Sequence, residues 1–155
     1  MAVEIERKFL VKNDSWRSNV ESQARVIQGY LASGTSATVR VRVKGLAAYL
    51  TIKGATSGIS RAEYEYPIPV EDARAMLRDV ALCPPIEKTR YRVRVGGHLW
   101  DLDLFAGENE GLVRAEVELG SEHVAFEMPG WAGEEVSGDP RYYNSYLARH
   151  PYRHW

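Results

Sequence analysis

The sequence predicts a mainly β (α+β) fold: a closed antiparallel barrel of eight strands with a few covering helices. Three observations predict it. Apolar and polar residues alternate with period two over most of the chain. The alternating runs are separated by short Gly-containing turns at hairpin length, such as Gly45 and Gly96-Gly97. Charged residues gather on one face of nearly every run, and closing such a sheet removes its exposed edges.

The elements follow in order. A first strand runs from Val3 to Val11, followed by a polar, helix-tolerant stretch from Asp14 to Ser22. A second strand covers Arg25 to Ala32 and a third Ala37 to Lys44. A fourth ends at Lys53-Gly54, and a fifth spans Ser60 to Ile68. Val70, Ala73, Met76, Leu77 and Val80 then fall at helical spacing, which predicts an amphipathic helix. Strands resume at Glu87 to Val95, His98 to Phe105 and Leu112 to Leu119. A short helix closes the chain from Arg141 to His150, with Asp139 as its N-cap and Pro140 as its first residue. No repeat or linker divides the 155 residues, so a single domain over 1–155 is expected.

Composition narrows the function classes. Twenty basic and 21 acidic residues leave a net charge of −1, which lacks the basic excess of a nucleic-acid binder. The lone Cys83 allows neither a disulfide framework nor a thiolate metal site. The start MAVEIERKFL has no apolar signal region, and no 18-residue apolar run occurs. A cytoplasmic protein without membrane or nucleic-acid partners is expected, and a homodimer is left open. The histidines at 98, 123, 150 and 154 lack ligand spacing and read as surface residues.

Side chains two apart on a strand share a face. Glu4, Glu6 and Lys8 therefore lie together, opposite Val3, Ile5 and Phe9. Arg40, Arg42 and Lys44 oppose Val39, Val41 and Val43, and Thr51 with Lys53 opposes Leu50 and Ile52. Glu63 with Glu65, Lys88 with Arg90, Arg92 and Arg94, Asp101 with Asp103, and Arg114 with Glu116 and Glu118 continue the pattern. Two architectures satisfy it. In one the apolar faces fill the barrel and the charges meet water, which avoids the cost of burying ions. In the other the charges line the lumen and helices cover the apolar outside. The charges cluster by sign within strands, whereas solvated faces mix signs. Sign-segregated blocks suit a site that holds a polyanion beside metal cations. A triphosphate carries about four negative charges near neutral pH; Arg and Lys match its oxygens, and carboxylates are hard ligands for Mg²⁺ or Mn²⁺. On these grounds alone the two architectures stay balanced.

The pattern Glu4-Ile5-Glu6-Arg7-Lys8 is followed in order by Gln28-Gly29-Tyr30-Leu31, Arg40-Val41-Arg42, Leu50-Thr51-Ile52-Lys53, Arg61-Ala62-Glu63-Tyr64-Glu65 and Glu87-Lys88-Thr89-Arg90-Tyr91. Asp101-Leu102-Asp103-Leu104-Phe105, Glu116-Val117-Glu118 and Gly133-Glu134-Glu135-Val136 come next, with Asp139, Arg141, Tyr142 and Asn144. Over almost its whole length the chain thus resembles the CYTH superfamily of triphosphate tunnel metalloenzymes, in its short bacterial form. The resemblance implies a tunnel with the charged faces inward. It implies that Lys8, Arg40, Arg42, Lys53, Lys88 and Arg90 bind a triphosphate. Glu4, Glu6, Asp103, Glu116 and Glu118 would hold Mg²⁺ or Mn²⁺, and Glu63 and Glu65 would add supporting acceptors. Lys8, Tyr30, Glu6 and Glu118 would act in catalysis, with Tyr30 near Lys8, and the terminal helix would plug one tunnel mouth. Lys44, Arg92, Arg94, Asp101 and Arg114 are not clearly demanded by the family pattern.

Within the superfamily, the cyclase branch places His-Phe shortly before the E-x-E-x-K pattern, whereas only Met1-Ala2-Val3 precede it here. Thiamine triphosphatases are longer. Hydrolysis of inorganic tripolyphosphate to pyrophosphate and phosphate is the expected reaction. Hydrolysis of an organic triphosphate (thiamine or nucleoside triphosphate), an adenylate cyclase and a polyphosphate-binding module without turnover remain the alternatives. A carrier of apolar ligands would need the opposite polarity in its lumen.

Overall fold

A computed structural model describes residues 3–155; Met1 and Ala2, which precede the E-x-E-x-K pattern, lie outside the described residues. The strands are β1 (Val3–Val11), β2 (Val20–Ser33), β3 (Ala37–Lys44), β4 (Ala47–Gly54), β5 (Ser60–Ile68), β6 (Ile86–Val95), β7 (His98–Phe105), β8 (Val113–Glu118) and β9 (Ala132–Glu135). Their order is β5-β4-β3-β2-β6-β7-β8-β1-β9, and a further β1–β5 pairing closes β1 to β8 into an antiparallel barrel. β1 makes the closure by dividing its length. Val3 to Ile5 pair with β5, and Glu6 to Leu10 pair with β8. β9 then adds to β1 at Phe9 and Val11. The β3–β4 and β6–β7 hairpins turn at Gly45 and Gly96, whose φ angles of 59° and 57° suit residues without a Cβ.

The charged faces point inward. Arg40, Arg42, Lys88, Arg90, Asp103, Arg114 and Glu116 are all buried, while their strand neighbours Val41, Val43, Leu102, Ala115 and Val117 pack on the outside of the barrel. Of the two architectures balanced on physical grounds, the inverted one is present. Helix α1 (Val70–Asp79) covers β2 to β4, its fully buried Ala73 resting with Val41, Val43 and Ala48. β1 and β6 to β8 are covered differently. Trp16 on a 3₁₀ turn (Ser15–Asn19) and the segment from Val124 to Ala132 bring Phe126 and Trp131 over Trp100 and Phe9. The covering is incomplete, for Ile52, Tyr64 and Tyr66 on β4 and β5 remain exposed.

One end of the lumen changes character. Leu10, Ile86, Phe105 and Leu112 occupy the inward positions two residues beyond Lys8, before Lys88, beyond Asp103 and before Arg114. They form an apolar floor against Leu147 of helix α2 (Asn144–Arg149). Along β6, side-chain exposure rises away from that floor, from 0% at Lys88 to 9% at Arg90, 38% at Arg92 and 47% at Arg94.

Three boundaries differ from the sequence reading. β2 starts at Val20 rather than Arg25, since its polar first half is held by pairing with β6 and by the Glu21–Arg94 ion pair instead of an apolar face. β9 is an added strand; Ala132-Gly133-Glu134-Glu135 carries no alternation that would reveal it. The expected helix from Arg141 to His150 is broken at Tyr143 into a 3₁₀ turn (Pro140–Tyr142) and α2. Asp139 does cap the first of these, accepting from the Arg141 backbone N–H at 3.1 Å.

The heaviest packing element is Trp100, fully buried with ring centroids 5.6 Å from Phe9, 5.7 Å from Phe126 and 5.3 Å from Trp131. Trp100→Ala is expected to lower the unfolding free energy by about 3–5 kcal/mol, checked by urea denaturation.

Candidate active site

Above the apolar floor the inward side chains enclose a cavity of about 290 Å³. Register determines its basic wall. Arg42 stands opposite Gln28 and Arg40 opposite Tyr30 across the β2–β3 pair, with Thr51 opposite Arg40 on β4. Both the Nε and Nη2 of Arg42 donate to Gln28 Oε1, at 2.9 and 2.7 Å, and among the described residues no carboxylate pairs with this guanidinium. Burial, and next the charges of Arg40 and Arg90, push it down to about 9. Arg40 is also buried; its Nη2 lies 3.4 Å from Thr51 Oγ1 and 3.6 Å from the half-exposed Glu65 carboxylate. Lys53 bridges Glu4 at 2.7 Å and Glu63 at 3.2 Å.

The acidic wall is built on β1 and β8, where Glu6 faces Glu118 and Lys8 faces Glu116 in register. Their environments separate these carboxyls. Burial, reinforced by Glu116 and Glu4, pushes Glu6 up to about 8 even though Lys8 Nζ donates to it at 2.8 Å. Glu118 is raised by burial and by Glu4 and Glu6. Burial also acts upward on Glu116, but Arg114 and Lys8 outweigh it and hold that carboxyl well below the usual range. Oε1 of Glu4 is buried without a hydrogen-bond donor. Among the described residues no three acidic, His or Cys groups are gathered as a ready cage for an ion, because Glu4 turns to Lys53 and Glu116 turns to Arg114, 2.7 Å away in each case. The acidic surplus around Glu6 and the Glu4 oxygen, which has only Arg61 Nε at 3.6 Å and no hydrogen bond, fit a hard divalent cation.

Between cavity and floor lies a layer of paired charges. Asp103 is wholly buried and meets Lys88 Nζ at 2.6 Å, Arg90 Nε at 2.8 Å and Arg114 Nη2 at 3.4 Å. Burial works upward on its carboxyl, but Arg90 and Lys88 prevail and hold it far below the ordinary carboxylate range. Lys88 and Asp103 are thus set apart from the other expected site residues. Both are fully buried behind the cavity wall, with their charges spent on each other, whereas Glu4, Glu6, Lys8, Tyr30, Arg40, Arg42, Lys53, Glu63, Glu65, Arg90, Glu116 and Glu118 border the cavity.

Several bordering residues were missed in the sequence. Arg61 shares the β5 face of Glu63 and Glu65 and reaches within 3.6 Å of Glu4, so the period-two rule could have found it. Tyr143, Asn144 and Ser145 enter from the C-terminal segment, which carries no strand signal. The Tyr143 ring lies 5.2 Å from Lys8 Nζ, while Tyr30, expected beside Lys8, has Gln28 as its hydrogen-bond neighbour. Arg114 ties this segment down: it donates to the Tyr142 carbonyl and to Asn144 Oδ1 while pairing with Glu116.

The family model of the CYTH domain matches residues 2–143. The chain belongs to the CYTH domain family. Over 155 residues it is 47% identical to an inorganic triphosphatase of Acetivibrio thermocellus, covering 100% of this chain and 99% of that one. It is 41% identical over 149 residues to an inorganic triphosphatase of Nitrosomonas europaea, covering 94% and 96%. A crystal structure of an inorganic triphosphatase superposes on it with a TM-score of 0.68 at 39% identity, covering 96% of this chain and 95% of that one. The CYTH match ends at Tyr143, so the whole of α2, which seals the floor, lies past it. Among the described residues no helix of this CYTH protein is long and apolar enough to cross a membrane.

Asp103→Asn would leave three buried cations without their shared anion. It is expected to lower the unfolding free energy by about 3–5 kcal/mol at neutral pH. Because the folded carboxyl sits below its unfolded value of about 3.9, its stabilisation is full above that pH and is lost as pH falls through the folded value. Urea unfolding of both proteins from pH 7 to pH 3 should show the difference narrowing only at the acid end.

Proposed function

We propose that this CYTH protein hydrolyses inorganic tripolyphosphate to pyrophosphate and phosphate with the help of Mg²⁺ or Mn²⁺, as an enzyme of the cytoplasm. The observation that carries the reading is Arg42: a buried guanidinium at the wall of a polar cavity, held by a neutral amide and lacking a carboxylate partner. Such a charge calls for an anion supplied from outside. Arg40, Arg90, Lys53 and Lys8 border the same cavity, so several phosphoryl groups of one chain find cations together. The names of the relatives point to the same substrate class.

In this reading Arg40 and Arg42 hold phosphate oxygens on the basic wall, and Arg90 is aimed by its fork onto Asp103. Lys88 and Asp103 serve by fixing Arg90 rather than by touching substrate. Glu4, Glu6, Glu116 and Glu118 would hold the metal, which when bound polarises the phosphoryl group and lowers the pKa of a water. A water oxygen attacks the terminal phosphorus, and the bond to the bridging oxygen breaks. Glu118, whose proton affinity is raised by burial and by Glu4 and Glu6, takes the water proton. Lys8, oriented by Glu6 and the Tyr143 ring, stabilises the charge on the departing pyrophosphate oxygen, with Tyr30 lining the same space. Glu63 and Glu65 restrain Lys53 and Arg40.

Phosphate release from tripolyphosphate, ATP and thiamine triphosphate, with Mg²⁺, Mn²⁺ or EDTA, tests the reading. Fast release from tripolyphosphate that EDTA stops is expected; tight binding without release would make the protein a binding module instead. Glu4→Gln and Glu6→Gln should each abolish metal-dependent turnover with cooperative unfolding retained. Native turnover in both variants would sink the metal assignment. Arg42→Ala should lower kcat/KM by about 10- to 100-fold, the range for losing a charge-assisted bond.

A further inference from the structure

We propose that Gln28 is a positioning residue for the triphosphate site: a neutral acceptor that fixes the Arg42 fork without cancelling its charge. The inference rests on the triphosphate-binding reading and adds a residue to it. Gln28 is completely buried on β2 and is the cross-strand register partner of Arg42. One oxygen, Oε1, receives two donors of the same guanidinium, Nε at 2.9 Å and Nη2 at 2.7 Å. Two bonds along one edge fix the plane of the group, and Nη1 has no protein acceptor among the described residues. The Gln28 amide Nε2 lies 3.5 Å from the Tyr30 hydroxyl, so the same side chain borders a second cavity-lining group.

The neighbouring arginines show what this neutrality does. Arg90 and Arg114 are matched by Asp103 and Glu116, and Arg40 approaches Glu65. Arg42 alone among these four has no carboxylate partner among the described residues and is held by an amide in its place. A carboxylate at position 28 would keep the shape and both bonds, yet it would neutralise the cation before any phosphate arrived. The downward push on Arg42 from burial, Arg40 and Arg90 agrees with a positive charge left uncompensated.

Gln28→Glu and Gln28→Met separate orientation from charge. Steady-state kinetics on tripolyphosphate with Mg²⁺ and thermal unfolding would be measured for both, beside native protein and Arg42→Ala. Gln28→Glu should keep or raise the melting temperature while raising KM by about 10- to 100-fold, with a smaller change in kcat. Gln28→Met, which removes both bonds but leaves the charge, should lower the melting temperature and raise KM less than Gln28→Glu. A merely structural role predicts the reverse order, with Met the more damaging. Gln28→Glu folded with a KM within about twofold of native, or Met raising KM more than Glu, overturns the proposal. If Arg42→Ala itself keeps the native KM, the phosphate-binding reading of Arg42 falls and the role of Gln28 falls with it. If Arg42→Ala raises KM and Gln28→Glu does not, only the role of Gln28 is lost.

Discussion

Charge burial is the constraint on which the rest of this barrel depends. A guanidinium or carboxylate taken out of water costs several kcal/mol unless partners replace the lost hydration. The layer around Asp103 meets that cost internally, with one carboxylate serving Lys88, Arg90 and Arg114. Below it the inward positions turn apolar and offer the ions no hydration, so the layer has to pair within itself. Above it the compensation is left unfinished on both walls. Arg42 has only an amide, and Glu6 is pushed toward its neutral form by burial, Glu116 and Glu4. Rigidity at the base therefore coexists with unmet charge at the cavity, which is the condition for holding an anion and a cation without rearranging the sheet.

The inversion of the barrel moves the hydrophobic effect to the outside. Val41, Val43, Leu102, Ala115 and Val117 cannot fill the lumen, so they need covers, and the chain supplies two of different kinds. α1 is an amphipathic helix whose spacing is written in the sequence. The cover over Trp100 is an irregular segment whose grip comes from Phe126 and Trp131. α1 reaches Ala48, Leu50 and Ile68 but not the far parts of β4 and β5, where Ile52, Tyr64 and Tyr66 stay exposed.

How much of this was legible follows from the length scale of each signal. Period-two alternation specified the barrel strands and which charged residues share a face, because in a strand facing depends only on the parity of position. That the shared face is the inner one came from the family resemblance. Parity does not reveal depth along the barrel axis. Arg90 and Lys88 carry the same charge on the same face, yet Arg90 borders the cavity and Lys88 lies behind it. The resemblance counts Asp103 among the metal ligands, and the three cations that it meets here come from β6 and β8. β9 and the break at Tyr143 escaped because four residues or one turn are too short to show a period. Arg61 was within reach of the parity rule and was passed over. Tyr143, Asn144 and Ser145 are brought to the cavity by tertiary contacts that involve Arg114, which no local pattern encodes.

The segregation of sign takes its meaning from strand order. β1 and β8 are neighbours, which places Glu6 and Glu118 side by side in register, while β2 to β4 gather Tyr30, Arg40, Arg42 and Lys53 into another part of the wall. An anion-binding pocket alone would need only the basic part, and a wall of carboxylates would add repulsion toward its ligand. In the proposed reading the acidic wall would serve to hold a divalent cation beside the phosphate chain, its charge offsetting that of both. Lys8 sits where the two meet, on β1 between Glu6 and the ring of Tyr143. In the proposed reading a cation at that junction would follow charge from the phosphate chain to the leaving group. This accounts for why a single lysine interrupts the acidic face of β1.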